Sequence, residues 1–393
     1  MTPRSDQRDE LVSEFGDRFI DMLRIHEVLG QEGLEIAFRA VPRHRFVRRY
    51  LDQRRKKPRM VRVNVDRPTP AQLSSIYRNH SLTTHRPPGP ISTVSQPSLV
   101  AQMLSLLDLK PGMNVLEIGA GSGWNAALIA HLVGTRGRIS SVELVSEVAA
   151  EARRAVAREG YRNVEIVTGN GANGHAGGAP FDRIISTVGS PDIFPTWVNQ
   201  VKEGGKLLVP LQAFPHGPFC LMSLFKKRGT HLVGDVHGHA WFILLQGEDG
   251  AGADVEVEVQ DRLKTARGKK KGRKKLAPWA CVHPGAIPHH RANLLFMAYL
   301  EGMRIEQHQK TFLLSSPDAD GYCIVEDDSL QPLGRRDVHD QFMEIAEQWL
   351  ASGAPGVTNY RIEVWPRTAR KRRPRSGWLV EREHSKLILR LKN

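Results

Sequence analysis

Cysteine is scarce in this 393-residue chain. Cys220, Cys281 and Cys323 are widely spaced and odd in number, which argues against a disulfide framework and fits a reducing, cytoplasmic setting. No run of about 18 apolar residues occurs, so no membrane-spanning helix is expected, and no apolar segment follows Met1 as a secretion signal would. Internal repeats are absent. Aromatic residues make up only 7% of the chain, but the hydrophobic share of 40% is enough for sizeable cores. Acidic charge is in deficit. The 56 Lys and Arg exceed the 42 Asp and Glu by 14, which points toward polyanions or acidic peptides as partners. Two runs hold much of the excess, KTARGKKKGRKK at 264–275 and RTARKRRPR at 367–375. Each contains Gly or Pro and lacks apolar periodicity, so each reads as a solvated loop rather than a nucleic-acid contact.

A dinucleotide fingerprint is also missing. The pattern G-x-G-x-x-G counted from Gly119 would need glycine at 124, where the chain has Trp124. What stands there is Val115-Leu116-Glu117-Ile118-Gly119-Ala120-Gly121-Ser122-Gly123. An apolar strand with an acid near its end runs into three alternating glycines, and a helical pattern follows (Ala126, Ala127, Ile129, Ala130, Leu132, Val133). Strand, glycine turn and helix form the layout of a nucleotide site, because the glycines allow a sharp turn and close approach to a ligand at a helix N-terminus. The second strand, 138–143, ends in Glu143, 26 residues after Glu117. That is near the ~20-residue interval at which an acid meets a ribose diol, and a carboxylate can accept two hydrogen bonds from it.

From Asn114 onward strands and helices alternate: strands at 114–118, 138–143, 164–167, 182–186 and 206–210, with helices at 124–133, 146–159 and 193–201. This predicts an α/β, Rossmann-like doubly wound parallel sheet with its ligand at the carboxyl ends of the strands. A helical region with a proline-rich basic insert at 54–90 precedes it (1–90). The core spans 91–236, with edge strands at 219–225 and 231–236. A C-terminal α+β region (237–393) follows, with strands at 255–259, 361–364, 379–381 and 384–391 and a helix at 341–351.

The spacing E-x-G-x-G-x-G resembles the first motif of S-adenosylmethionine-dependent methyltransferases. The segments Ala37-Phe38-Arg39-Ala40-Val41-Pro42-Arg43-His44-Arg45-Phe46-Val47, Thr93-Val94-Ser95-Gln96-Pro97, Pro180-Phe181-Asp182-Arg183-Ile184-Ile185 and Glu203-Gly204-Gly205-Lys206-Leu207-Leu208-Val209-Pro210 resemble the protein L-isoaspartate (D-aspartate) O-methyltransferase family over about 11–234. The insert and the tail resemble an extended branch associated with ribosomally made peptides (lanthipeptide FxLD systems and lasso peptides). Members of that branch methylate a peptide aspartate that then cyclises to aspartimide or gives isoaspartate.

The resemblance implies S-adenosyl-L-methionine as cofactor. It would be held by Glu117, Gly119, Ala120, Gly121, Ser122, Gly123, Glu143, Leu144, Asn170, Gly171 and Thr187. Ser95 and Thr93 are the catalytic candidates, placed to hold the substrate carboxylate, although Ser95 and Gln96 could equally cap the helix starting near Pro97. Gln96, Val188, Gly189 and Leu211 are candidates to line the substrate cleft. Repair enzymes of the family carry Gly-Asp-Gly where this chain has Gly169-Asn170-Gly171, and Pro-Val-Gly where it has Pro210-Leu211-Gln212. Both departures set general isoaspartyl repair against modification of an acidic or modified precursor peptide. A third reading, an RNA-binding N-methyltransferase, is left by Trp279, Trp365 and Trp378 beside the basic runs. Cys281, His283, His289 and His290 match no zinc spacing, and His175 lies in a glycine-rich stretch, so no metal is expected.

Overall fold

The computed structural model describes residues 5–30, 33–54, 56–86, 91–215, 217–246, 274–275, 287–308, 311–317, 319–326, 329–333 and 337–392. The chain forms two compact units: Met1–Thr187 with Asn199–Leu208, and Val188–Val198 with Val209–Asn393. Neither expected cut, at 90/91 or at 236/237, coincides with this division.

The first unit opens with helices α1 (Ser5–Ile25) and α2 (Leu34–Ala40). Phe19, Ile20, Leu23, Leu34 and Phe38 bury one face of each, and Phe38 meets the edge of Trp124 at 5.7 Å. Between the two helices the chain turns at Glu27 and Gly33, both at positive φ. The basic insert is ordered around short elements rather than one loop. Strand β1 (Arg49–Asp52) precedes it, and it holds strand β2 (Arg59–Arg62), helix α3 (Pro70–Ile76) and strand β3 (Leu82–His85). Helix α3 starts where it does because Thr69 and Gln72 cap each other reciprocally and Pro70 supplies a preset first turn. Strand β4 (Ser92–Val94) pairs with β3, Thr93 opposite Thr83, and leads directly into α4 (Pro97–Leu107).

The parallel sheet follows in the predicted order: β5 (Asn114–Ile118), α5 (Trp124–Val133), β6 (Arg138–Glu143), α6 (Ser146–Arg158), β7 (Val164–Thr168), β8 (Phe181–Ser186), α7 (Pro195–Gln200) and β9 (Val201–Gln212). Strand β5 lies between β6 and β8, all parallel. The chain winds outward to β7 on one side and to β9 on the other. The topological switch point is therefore at the carboxyl ends of β5 and β8, where Gly119 and Thr187 emerge.

In the second unit, β10 (Phe219–Arg228) and β11 (His231–Trp241) form a hairpin. Beyond the short strand β12 (Lys274–Lys275) come α8 (Ile287–Leu300), a meander of β13 (Arg304–His308), β14 (Thr311–Ser316), β15 (Ala319–Glu326) and β16 (Ser329–Leu333), and then α9 (Asp337–Ala351). Strands β17 (Tyr360–Pro366), β18 (Trp378–Glu381) and β19 (Ser385–Leu391) complete it, with β17 pairing β11. Both β17 and β18 pair with β19. The basic run 367–375 therefore connects two strands that flank a third and is not the tip of a hairpin. Buried Asp192 explains why 188–198 belongs here: it accepts hydrogen bonds from Ile193 N at 2.7 Å, His384 N at 2.6 Å and the Ser385 hydroxyl. The expected strand at 255–259, most of the run 264–275, Trp279, Cys281 and His283, and the side chains of His289 and His290, lie outside the described residues.

Candidate active site

The glycine loop leaves β5 at positive φ at Gly119 (93°), Gly121 (51°) and Gly123 (81°), a region costly for residues with a Cβ. Gly119 N donates to Val142 O at 2.8 Å and Gly121 N to Glu143 Oε2 at 2.9 Å. A Cβ on Gly121 would stand 3.3 Å from Thr93 O, so this glycine lets β4 lie across the loop. The Ser122 hydroxyl accepts from Trp124 N at 3.3 Å, at the start of α5.

Glu143 closes the other wall. Its carboxylate accepts from Gly121 N, from Val145 N at 3.1 Å and from the Leu144 backbone. Burial raises its pKa and these N–H groups partly offset the shift. A carboxylate has about four acceptor positions. Three are committed to backbone here, which leaves one for a ribose hydroxyl rather than the expected two.

Glu117 does something else. It is fully buried, with Asn125 Nδ2 donating to Oε1 at 2.7 Å and the Ser141 hydroxyl to Oε2. Burial pushes its carboxyl up to about 7. The direct cofactor contact expected of it is corrected to a brace joining β5, β6 and α5. Asn170 Oδ1 accepts from Ala172 N at 2.9 Å and caps a short turn that begins at buried Gly171. Thr187 donates through Oγ1 to Ile118 O (3.0 Å) and Gly119 O (2.7 Å), so its hydroxyl fastens the switch point.

On the substrate side, Thr93 and Ser95 are both half-buried at the end of β4. Gln96 occupies the N-cap position of α4 without a side-chain cap, its amide donating instead to Ser98 Oγ at 3.0 Å. The cap oxygen comes from Asn79, which accepts from Ser98 N at 3.1 Å. Ser95 therefore does not cap this helix. Its carbonyl accepts from Arg43 at 2.8 Å.

Val188, Gly189 and Leu211 belong to the second unit. Gly189 is buried with its N–H on Ile243 O and its carbonyl on Leu245 N, and Leu211 is 1% exposed. Gly189 and Leu211 are packed inside that unit, away from the surface a substrate would meet, whereas Val188 is half-buried.

A small cleft opens beside Gly121 and Ser122, lined also by Phe46, Arg48, Thr84 and His85. At its edge His85, Glu147 and Glu151 converge. Arg49 Nη2 lies among them, 2.6 Å from His85 Nε2, 2.6 Å from Glu151 and 3.2 Å from Glu147, and occupies the place a cation would take. Burial and then the Arg49 charge hold His85 below its ordinary pKa. His175 lies 3.5 Å from Glu165. Sequence reasoning assigned no role to Arg43, Arg49 or Asn79. Arg43 stood in a quoted segment, where a basic residue among apolar neighbours was the available signal.

Residues 16–250 match the family model of protein-L-isoaspartate(D-aspartate) O-methyltransferase. The chain belongs to this family. A protein-L-isoaspartate O-methyltransferase of Pyrococcus horikoshii is 38% identical over 233 residues, 59% of this chain and 93% of that protein. One from Thermococcus sibiricus is 35% identical over 235 residues, 59% of this chain and 94% of its own length. A solved structure named protein-L-isoaspartate O-methyltransferase superposes with a TM-score of 0.53 and 25% identity, covering 88% of this chain and 96% of that one. The chain is thus an S-adenosylmethionine-dependent carboxyl methyltransferase with the Rossmann-like fold, and the RNA N-methyltransferase reading is set aside. Because that structure spans most of the tail as well, a C-terminal extension alone does not mark the peptide-maturation branch.

Proposed function

We propose that the enzyme methylates the side-chain carboxylate of an isoaspartyl or aspartyl residue within an acidic peptide segment, using S-adenosyl-L-methionine. The observation that carries this reading is Glu143, a half-buried acceptor held by Gly121 N at the end of β6, with the Thr93 backbone carbonyl brought against the same glycine loop and Ser95 two residues further along the chain. When bound, the cofactor supplies a methyl group on a sulfonium. A peptide carboxylate, with a reference pKa near ~4, is already ionised at neutral pH and needs no general base. The protein's task is then alignment in a water-poor site, and small hydroxyls suit it. Ser95 and Thr93 are assigned to hold the substrate carboxylate or its adjacent backbone.

Acidic substrates are favoured by the second unit, where Arg370, Arg372, Arg373 and Arg375 are exposed and form no ion pair among the described residues. Trp365 in that region is stacked on His231 at 3.9 Å and covered by Lys371 Nζ at 3.3 Å. With its faces taken it offers no platform for a base, which favours acidic peptide over nucleic acid.

General isoaspartyl repair is the reading that fits relatives named protein-L-isoaspartate O-methyltransferase. The narrower reading, a ribosomally made precursor taken through an ester to aspartimide or isoaspartate, keeps one supporting residue, Asn170, uncharged where repair enzymes carry Asp. The second departure loses force because Leu211 and Gln212 are buried. A short neutral isoaspartyl peptide separates the two. Efficient S-adenosylhomocysteine release with it supports repair. Turnover confined to a precursor, with a one-methyl mass gain or a later loss of one water, supports maturation.

A further inference from the structure

Arg43 is completely buried, and among the described residues no carboxylate pairs with it. Its guanidinium is surrounded by carbonyls instead. Nη1 donates to Ile76 O at 2.6 Å and Arg78 O at 3.1 Å. Nη2 reaches His80 O at 3.0 Å, Val94 O at 3.2 Å and Ser95 O at 2.8 Å. The guanidinium carbon lies 5.2 Å from the centre of the Trp124 ring, and Trp124 is the first residue of α5 after Gly123. The Trp124 indole in turn donates to Val41 O at 3.1 Å. Nε has no partner among the described residues.

Desolvation lowers the Arg43 pKa to about 9, so the group remains charged at neutral pH. A buried charge without a counter-ion is costly. What it gains is geometry: a planar fork can hold several oxygens in fixed directions at once. The five carbonyls come from two stretches, 76–80 and 94–95. The second is the backbone that carries Ser95 and follows Thr93.

We propose that Arg43 is a positioning residue for methyl transfer, its guanidinium fixing the backbone of 94–95 relative to the glycine loop so that Ser95 and Thr93 face the reacting methyl. The proposal rests on the assignment of Ser95 and Thr93 to the substrate carboxylate. Lysine cannot replace it, because a single ammonium has three donors on one atom and cannot reach both stretches.

The test uses the full-length enzyme with an isoaspartyl peptide substrate. R43K keeps the charge and loses the fork. R43Q keeps donors and loses the charge. Rates are taken at a temperature where circular dichroism shows the variants folded. S-adenosylhomocysteine affinity, single-turnover methyl transfer and peptide KM are measured for each, alone and combined with S95A. The expected result for R43K is nucleotide affinity within about threefold of wild type, a transfer rate at least tenfold lower and a smaller change in KM. In the double variant R43K/S95A, the rate loss should fall well short of the product of the single losses, since both act through one segment. Wild-type rates in either folded variant would overturn the proposal. So would rate losses matched by equal losses of nucleotide affinity, which is the pattern of a purely structural role. A slow R43K beside an S95A at wild-type rate would reject the Ser95 assignment while leaving Arg43 to act through Thr93, and T93V resolves that case by the same non-additivity.

Discussion

At the scale of single residues, burial and backbone N–H groups set the behaviour of the two acids that flank the glycine loop. Glu117 keeps its proton up to about pH 7 in the folded chain, against 4.5 for the ordinary group. Between these values the folded state binds more protons than the unfolded one, so this group's contribution to stability is complete below about 4.5 and is lost as pH rises to about 7. Glu117→Gln removes that slope. Its stability relative to wild type should rise from pH 5 to pH 7 by on the order of 2 kcal/mol, read by urea unfolding at a series of pH values. A constant difference would mean the carboxyl titrates normally. Glu143→Ala should weaken S-adenosylmethionine binding by about 1–3 kcal/mol, the scale of lost charge-assisted hydrogen bonds, with calorimetry on the folded variant as the check. Ser95→Ala should preserve that affinity and slow single-turnover transfer at least about tenfold, or ~1.4 kcal/mol. An unchanged rate would move the substrate-holding role to Thr93.

At the scale of elements, the loop between β5 and α5 depends on glycine for two separate reasons. At Gly123, φ is 81° and a Cβ would meet Val156 Cγ1 at 3.0 Å, so the left-handed turn coincides with the packing of α5 on α6. Gly123→Ala should cost about 1–2 kcal/mol from backbone strain alone, with added cost from the clash, visible as a lower melting temperature. Gly121→Ala acts differently: its Cβ would press on Thr93 O. Its signature should be loss of methyl transfer out of proportion to lost stability, and equal losses would argue that β4 tolerates displacement. In the second unit, Gly234 has no room at all, because a Cβ there would lie 2.1 Å from Leu224 O, and the β10–β11 hairpin requires its absence.

At the scale of the whole molecule, the net charge of +14 is unevenly paired. Asp235 engages Arg361 and Lys392, and Glu363 engages Arg390, while the arginines of 370–375 remain unpaired among the described residues. Exposed charges of this kind act through a field that salt screens, with a Debye length of about 10 Å at 0.1 M. Raising ionic strength from 0.05 to about 0.5 M should therefore increase KM for an acidic isoaspartyl peptide severalfold and leave a neutral one nearly unchanged. Equal salt responses would remove the basic run from substrate capture. No described helix is long and apolar enough to cross a membrane.

The sequence by itself determined the order of β5–β9, the position of the glycine loop and the identity of Glu143 as the acid at the end of β6. These are local signals: apolar runs, positive-φ glycines and a fixed interval along the chain. It missed α8 and the β13–β16 meander, whose strands include a continuous apolar run, Phe312-Leu313-Leu314, and a proline, Pro332, and so lack clean alternation. Only the tertiary structure decided that Glu117 is a brace, that Leu211 and Gly189 are interior, and that Asn79 rather than Ser95 caps α4. The same holds for the five carbonyls on Arg43, the farthest of them 52 residues away. Each of these depends on which polar atoms meet when distant segments pack. A hydrogen bond between residues tens of positions apart leaves no periodicity in the chain to read.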